Sequence, residues 1–504
     1  MAHWKHLLVA TAAMMVFAPM AHAQGDENAI TVTASADATA DREYEAAVRV
    51  GLTYLRANPK VAGDYISAKE LDAIESVLRS GGLESYIARQ DADRFAGAAY
   101  DVRLNSPADL LADLGSTIQM AQSSAAYRET LAGSAVDLPE PFRSRALTLV
   151  RNTRLTIPQL VPALTEVYEE AAESEGMYGE PATSPMAALA CGVERGTPRT
   201  ITDGSSGCEP NANGLLAKWD FPMKRYLGCV RDQGKRGSCV AFALTADIEM
   251  RAAMKRNQKY NLSEQFTYMR AELLTGSGKY RHGLPTFLTI KRFDNLGTSF
   301  GRETSWPYNP SRDRTGVDTR GTSVLYDDVY PKSCDNYSGY CTEVNFQGVQ
   351  DKPYITSAGQ IDFQYHHPPM NFGADNIRAY GRSSIIWSDS LSKMFAVQQQ
   401  LPAKLRVAPV VASISVSANY MAKLPDGYLR YSSTDASKPG GHAVLIVGFV
   451  PKQSLPEGAP APAGSGYFIV RNSWGTGRGD CGYEYIDEAW LRRHVTSLTT
   501  LGIK

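Results

Sequence analysis

The sequence predicts an α+β protein in which a helical N-terminal module precedes a larger unit that mixes one long apolar helix with a late β-hairpin. Three observations carry this. Apolar residues recur at helical spacing early in the chain, an almost wholly apolar run of helix formers occupies 240–250, and two β-branched-rich runs at 443–450 and 466–471 flank a Pro-, Gly- and Ala-rich stretch at 451–465.

Lys5 and His6 precede an apolar segment at 7–18 and then Ala21-His22-Ala23, a small-x-small cleavage site before Gln24. This pattern reads as a secretory signal peptide over 1–23, too short for a membrane span. The mature chain is therefore expected in the periplasm or outside the cell, with no membrane attachment after cleavage. Residues 24–174 read as the helical module. Tyr44, Val48, Leu52 and Leu55 share one face, as do Leu71, Ile74 and Leu78, then Leu110, Leu111, Leu114 and Ile118, and then Leu160, Leu164, Val167 and Tyr168. Ser106-Pro107 places a cap before a first-turn proline. Periodicity fades into Gly, Ser, Pro and Thr over 175–214, which reads as a linker or processing region. The rest, 215–504, holds the chemistry.

Cys239 opens the apolar helix, with Ser238 at the N-cap position. A helix N-terminus favours a thiolate, and a neighbouring imidazolium does so more strongly, so the thiol is expected well below its usual ~8.5. If the runs at 443–450 and 466–471 pair antiparallel, His442 at the start of one lies beside Asn472 at the end of the other. Asn472 then fixes one ring nitrogen while the other faces sulfur. Trp474 is placed to cover that hydrogen bond. Gln233, six residues before the cysteine across Gly234 and Gly237, can fold its amide toward the thiol. Taken singly, each has a plain structural reading: an inert core thiol, a polar group at a strand end, a turn residue, a core aromatic, a loop cap. Four complementary roles in one chain favour chemistry.

Gln233 to Cys239, then His442-Ala443-Val444, then Asn472-Ser473-Trp474-Gly475-Thr476-Gly477 resemble the papain-like cysteine peptidases, over the chain from about Trp219 onward. Leu262-Ser263-Glu264-Gln265, Trp306-Pro307-Tyr308 and the strand-like run 408–416 resemble further landmarks of that family. The resemblance implies a two-lobed fold, a helical lobe around Cys239 and an antiparallel β-barrel lobe bearing His442 and Asn472, with the cleft between them. It implies Cys239 as nucleophile, His442 as acid and base, Asn472 as orienter and Gln233 as oxyanion donor. Gly283, Gly441 and Trp474 are expected at the substrate. Departures fall on the substrate side: Arg236 and Val240 stand where many members carry cysteine and tryptophan, Gly441 replaces an often acidic residue, and the Cys-Asn-Gly-Gly segment is replaced by Gly276, Gly278 or Gly283. Residues 309–388 read as surface loops rimming the cleft.

The expected activity is hydrolysis of peptide bonds in protein or peptide substrates through a thioester on Cys239. Capture of that thioester by an amine, as in a transpeptidase or ligase, is an alternative, and a binding protein on a peptidase fold is a third. The resemblance also implies a prosegment that keeps an exported thiol peptidase silent as a zymogen. The helical module either has that role, inhibiting intramolecularly, or is a permanent domain, and the Glu-Arg-Phe-Asn helix pattern of such prosegments is absent from it.

A formal charge of −1 and the lack of a basic stripe point away from nucleic acid. No cofactor is expected, and no metal, since neither a Cys-x2-Cys pair nor matching His spacing occurs. His366-His367 reads as a loop doublet. Export permits disulfides. With Cys239 set aside, six cysteines remain, and proximity in sequence suggests Cys191 with Cys208 and Cys334 with Cys341, leaving Cys229 for Cys481.

Overall fold

The computed structural model describes residues 34–83, 86–87, 104–174, 180–182, 208–228, 230–233, 237–275, 283–292, 299–303, 308, 315–317, 353–355, 360–363, 377–387, 389–422 and 424–503. The signal segment, most of 309–388, His366-His367 and the Cys334 and Cys341 pair lie outside them. Among the described residues no helix is long and apolar enough to cross a membrane.

The N-terminal module includes, among the described residues, α1 (Ala34–Ala57), α2 (Pro59–Tyr65), α3 (Ala68–Ser80), α4 (Pro107–Gln122), α5 (Ser124–Ala135), α6 (Phe142–Arg151) and α7 (Ile157–Ser174). Their boundaries have local causes. Ser67 accepts from Glu70 N–H at the start of α3, and Gly81, at φ 72°, closes it in the left-handed conformation. Ser106 and Asp109 build a reciprocal capping box at α4, with Pro107 in the first turn. The module has two apolar cores. Tyr44, Val48, Leu55, Ile74 and Leu111 fill the first, which reaches Leu288 of the larger unit. Tyr127, Leu131, Leu164 and Tyr168 fill the second, which takes in Phe287, Ile386, Phe395 and Ala403.

The larger unit begins with β1 (Glu180–Pro181), which pairs antiparallel with β2 (Trp219–Asp220) just after α8 (Leu215–Lys218). Its helical part comprises α9 (Cys239–Arg256), α10 (Glu264–Thr275) and α11 (Thr286–Arg292). Asn257, at φ 50°, ends α9. Three short strands, β3 (Thr315–Val317), β4 (Pro353–Ile355) and β5 (Gln360–Phe363), make a small separate sheet. The main sheet is built from β6 (Ala379–Ile385), β7 (Val410–Ser417), β8 (Tyr428–Leu429), β9 (Ser437–Pro451), β10 (Gly466–Arg471), β11 (Tyr483–Asp487) and β12 (Val495–Ile503). Its order is β6-β12-β7-β9-β10-β11-β8, antiparallel except for the short β11–β8 pair. Helices α12 (Ser390–Phe395), α13 (Leu401–Lys404), α14 (Ala418–Met421) and α15 (Glu488–His494) connect these strands. The α9 face and the sheet share the principal core, from Val240 and Leu244 to Ile446 and Trp490. The chain is α+β, as the periodicities predict.

Among the described residues, a disulfide joins Cys208 to Cys481. That corrects both sequence expectations that involve these two residues, Cys191 with Cys208 and Cys229 with Cys481. The reason is spatial: Asn211 N–H donates to Asp480 Oδ1 at 2.7 Å and Leu216 N–H to Tyr485 Oη at 2.9 Å, so 208–216 lies along the β11 turn far away in sequence.

Candidate active site

Helix α9 carries Cys239 at its first residue, and Ser238 holds the N-cap position without capping by its side chain. The expected cap is absent because the Ser238 hydroxyl is engaged at 2.5 Å by the Tyr308 phenol. Tyr308 Oη in turn lies 3.0 Å from the Gln233 carbonyl, to which it donates. The loop before the helix is anchored on its other side as well. Asp232 bridges Trp474, Gln233 N–H donates to Ser473 O at 2.9 Å, and the Ser473 hydroxyl donates to Gln233 Oε1 at 2.6 Å. Because a hydroxyl claims the amide oxygen, the NH2 is the end of Gln233 left to act as donor. Farther back, the buried Arg231 guanidinium pairs with Glu249 of α9 at 2.8 Å and with Glu264 of α10, tying the loop to the helical lobe.

The β9–β10 hairpin delivers the other two groups. Arg471, the last residue of β10, pairs with Leu445, so Asn472 lies just beyond the strand end and its side chain reaches back to His442 on β9. His442 Nε2 lies 2.9 Å from Asn472 Oδ1. Asn472 Nδ2 donates to Glu484 Oε1 at 2.9 Å and to Tyr420 Oη at 3.3 Å. The Trp474 ring lies 4.5 Å from the His442 ring, tilted by 31°, and shields it. On the other flank His442 is paired with Ile414 of β7. The backbone N–H of Ala443, next to the histidine, interacts with the Cys239 sulfur, so strand and helix converge at the thiol.

A segment of the module lies across this meeting point. Asn105 pairs with Gly441 as an isolated antiparallel bridge, its N–H donating to Gly441 O at 2.8 Å and its carbonyl accepting from Gly441 N–H at 3.3 Å. Its side chain sits against the thiol: Cys239 Sγ donates to Asn105 Oδ1 at 3.3 Å, while Asn105 Nδ2 donates to Leu284 O at 3.0 Å. Gly283 lies on the opposite side, where a Cβ would stand 2.4 Å from Asp109 Oδ2 and 3.3 Å from Asn105 Cα. A Cβ on Gly441 would meet Leu110 Cδ1 at 3.4 Å. Gly283 thus lets chain approach closely, and the chain that does so is the protein's own, whereas at Gly441 a side chain would make only ordinary contact.

Covered in this way, Cys239 is wholly buried. Burial, and next the nearby Asp109 carboxylate, push its thiol up to about 12 against the opposing backbone N–H groups of Ala443 and Val240. The sequence expectation of a depressed thiol is reversed here, because desolvation exceeds what a helix N-terminus supplies.

Cys239, His442, Asn472, Gln233 and Trp474 are brought together, with Gly283 and Gly441 flanking the segment over the thiol. Sequence reasoning missed Asn105, Ser473, Tyr420 and Glu484, and took Tyr308 for a packing landmark. Ser473 was within reach of it, since it adjoins Asn472. Nothing local marks Asn105, which lies 134 positions before Cys239.

Residues 216–269 and 330–495 match the family model described as Papain family cysteine protease. A cysteine protease of Blomia tropicalis is 26% identical over 292 residues, covering 57% of this chain and 65% of that protein. A cathepsin L-like protein of Caenorhabditis elegans is 26% identical over 260 residues, covering 50% and 54%. The chain therefore spans less than two thirds of the length of these relatives. Among solved structures, xylellain, a cysteine protease from Xylella fastidiosa, is 20% identical and is covered to 98% by 60% of this chain, with a TM-score of 0.33.

Proposed function

Over its C-terminal part the chain belongs to the papain family of cysteine proteases, and from that premise we propose that it hydrolyses peptide bonds and is held silent by its own N-terminal module. The single observation that carries the reading is the convergence of Cys239, His442 and Asn472, with Asn105 inserted at the sulfur. Asn472 engages Nε2 of His442, which assigns Nδ1 to exchange a proton with the thiol. Once the module leaves, water and the imidazolium replace the buried surroundings of the sulfur, and the thiolate becomes accessible. Cys239 attacks the substrate carbonyl, and the Gln233 amide and the Cys239 N–H stabilise the oxyanion. His442 protonates the leaving amine, then activates the water that releases the acyl group. Loss of the Gln233 donor is expected to lower turnover by ~10²-fold.

Substrate backbone is expected where Asn105 now lies, on Gly441 and beside Gly283, with Trp474 sealing the imidazole from water. Export is part of the reading: residues 1–23 supply the signal, and the Cys208–Cys481 disulfide suits an oxidising compartment.

Full-length protein starting at Gln24, incubated alone and with a trace of a general protease, tests this. The expected result is loss of the region that includes Asn105, accompanied by hydrolysis of a peptide library, with neither activity nor self-processing in Cys239→Ala. Removal of that region without Cys239-dependent hydrolysis would sink the peptidase reading. Full activity in the intact chain would sink the inhibitory one.

A further inference from the structure

Asn472 orients His442 only if its carboxamide is the right way round, and the amide's two ends are nearly the same size. Something must distinguish them. Asn472 Nδ2 donates to Glu484 Oε1 at 2.9 Å, and a carboxylate accepts but does not donate, so this contact admits only the NH2 end. Tyr420 Oη, 3.3 Å from the same nitrogen, has a hydroxyl that can accept or donate and therefore discriminates less.

Glu484 is completely buried on β11, directly across from Val470 of β10. Its charge is balanced by Arg478, whose Nε donates to the same Oε1. That guanidinium also donates to the carbonyls of Tyr420 and, at 2.8 Å, Ala422, and lies 4.5 Å from the Trp474 ring centroid and 5.2 Å from that of Tyr420. The turn that folds Arg478 back over Trp474 uses left-handed backbone at Gly475, Gly479, Cys481 and Gly482, and Cys481 is pinned by its disulfide. The loop is thus built around the ion pair.

We propose that Glu484, clamped by Arg478, is a positioning residue of the active site: it takes the Asn472 amide N–H, turns the carboxamide oxygen to His442, and sets a negative charge behind the imidazole. The proposal rests on the peptidase reading for its kinetic consequence but not for its structural one. With the oxygen facing Nε2, His442 holds its Nε2–H tautomer, and Nδ1 is directed to sulfur. The carboxylate stabilises the imidazolium through Asn472, which polarises as the ring gains a proton. A family that relies on three groups in line has here a fourth.

The test uses two readouts on the full chain. In a Cys239→Ala background, which cannot process itself, ring 15N shifts of histidine-labelled protein report the His442 tautomer. Glu484→Gln is expected to change its Nε2–H to Nδ1–H ratio at least twofold, whereas Glu484→Asp keeps the original ratio. With Cys239 present and activity developed, Glu484→Gln is expected to lower kcat about tenfold at nearly constant KM. It also moves the alkaline limb of the kcat/KM profile down by about one pH unit, since the imidazolium is then lost earlier. Glu484→Asp restores that limb. Should Glu484→Gln not fold, Arg478→Gln serves instead: it leaves the carboxylate less compensated and moves the limb upward. Unchanged tautomer and unchanged limb in a folded Glu484→Gln, or in Arg478→Gln where that variant stands in, would overturn the proposal. Absence of Cys239-dependent turnover in the parent chain would strike the peptidase reading alone, because the tautomer measurement does not need activity.

Discussion

A buried thiol donating to a carboxamide is a protonated thiol, and Asn105 supplies that carboxamide 3.3 Å from Cys239 Sγ. The thiol stands at about 12, so at neutral pH almost none of it is ionised while the module is docked. Truncating the side chain in Asn105→Ala removes this partner and the bond to Leu284 O, about 1–2 kcal/mol of net hydrogen bonding, and leaves the carbonyl of Leu284 without that donor. Alkylation of Cys239 in the intact chain is therefore expected to accelerate about tenfold, measured by mass shift against time. An unchanged rate would mean that the cover is held elsewhere. The residues proposed for catalysis were legible in sequence, because Cys239, His442, Asn472 and Gln233 each sit in a short context that suggests a role. Asn105 and Glu484 were not. Their parts are relational: an asparagine before a helix cap and a glutamate inside a strand acquire meaning only from what folding sets opposite them.

At the scale of elements, α4 is the piece that sets the segment over the thiol, since its cap follows directly on Asn105 and its body lies on the sheet. Every residue from Pro107 to Thr117 is buried, although the sequence shows only one apolar stripe. The polar positions are tolerated because other elements meet them. Ser413 of β7 donates to Asp113 Oδ2 at 2.5 Å, Phe287 N–H of α11 to Asp113 Oδ1 at 2.9 Å, Thr117 to Thr496 O at 3.0 Å, and Tyr44 of α1 to Asp109 Oδ1 at 3.0 Å. Helical periodicity thus disclosed that α4 exists but not that it is enclosed, for a one-sided stripe says nothing of satisfied polar groups on the far side. Two glycines set its approach to α1: a Cβ on Gly115 would fall 1.8 Å from Ala47 O, and one on Gly51 would fall 2.3 Å from Leu111 O. These contacts are to backbone, which cannot step aside. Gly115→Ala should force the helices apart and destabilise the module by about 1–3 kcal/mol, as overpacking does. The measurable outcome is earlier proteolytic loss of residues before 122 in limited digestion, with the larger unit still folded by circular dichroism. Equal digestion rates would contradict the crossing described here.

Across the whole molecule, the module grips the larger unit on separate faces, and the grip at Asp113 depends on pH in a direction that can be worked out. Burial raises the Asp113 carboxyl to about 7, outweighing the bonds from Ser413 and Phe287, and Asp109 adds to the rise. The folded, docked state therefore binds this proton more tightly than the released state, whose carboxyl lies near 3.8. Its contribution is fully present below 3.8, declines as pH rises, and is gone above about 7, so neutral pH favours release and acid favours the closed form. Two buried groups act in the other sense where α2 meets the larger unit, Lys393 donating to Tyr65 Oη and His494 lying against the Asp64 backbone. His494, lowered to about 3 by burial, opposes the trend between that value and its usual 6.5, and Lys393, lowered to about 7, opposes it in the alkaline range. Comparing Asp113→Asn with the parent cancels both, because they are common to the two proteins. The variant keeps an acceptor for Phe287 N–H and has nothing to titrate, so between pH 5 and pH 8 it should gain stability on the parent by on the order of 2 kcal/mol. Thermal unfolding at the two pH values measures this directly. Labelling of Cys239 gives the functional counterpart: with thiol ionisation common to both, the parent's rate should climb more steeply with pH than the variant's. Parallel pH dependences of melting and labelling would show that Asp113 does not titrate in the docked state, and that release of the module is governed by other contacts.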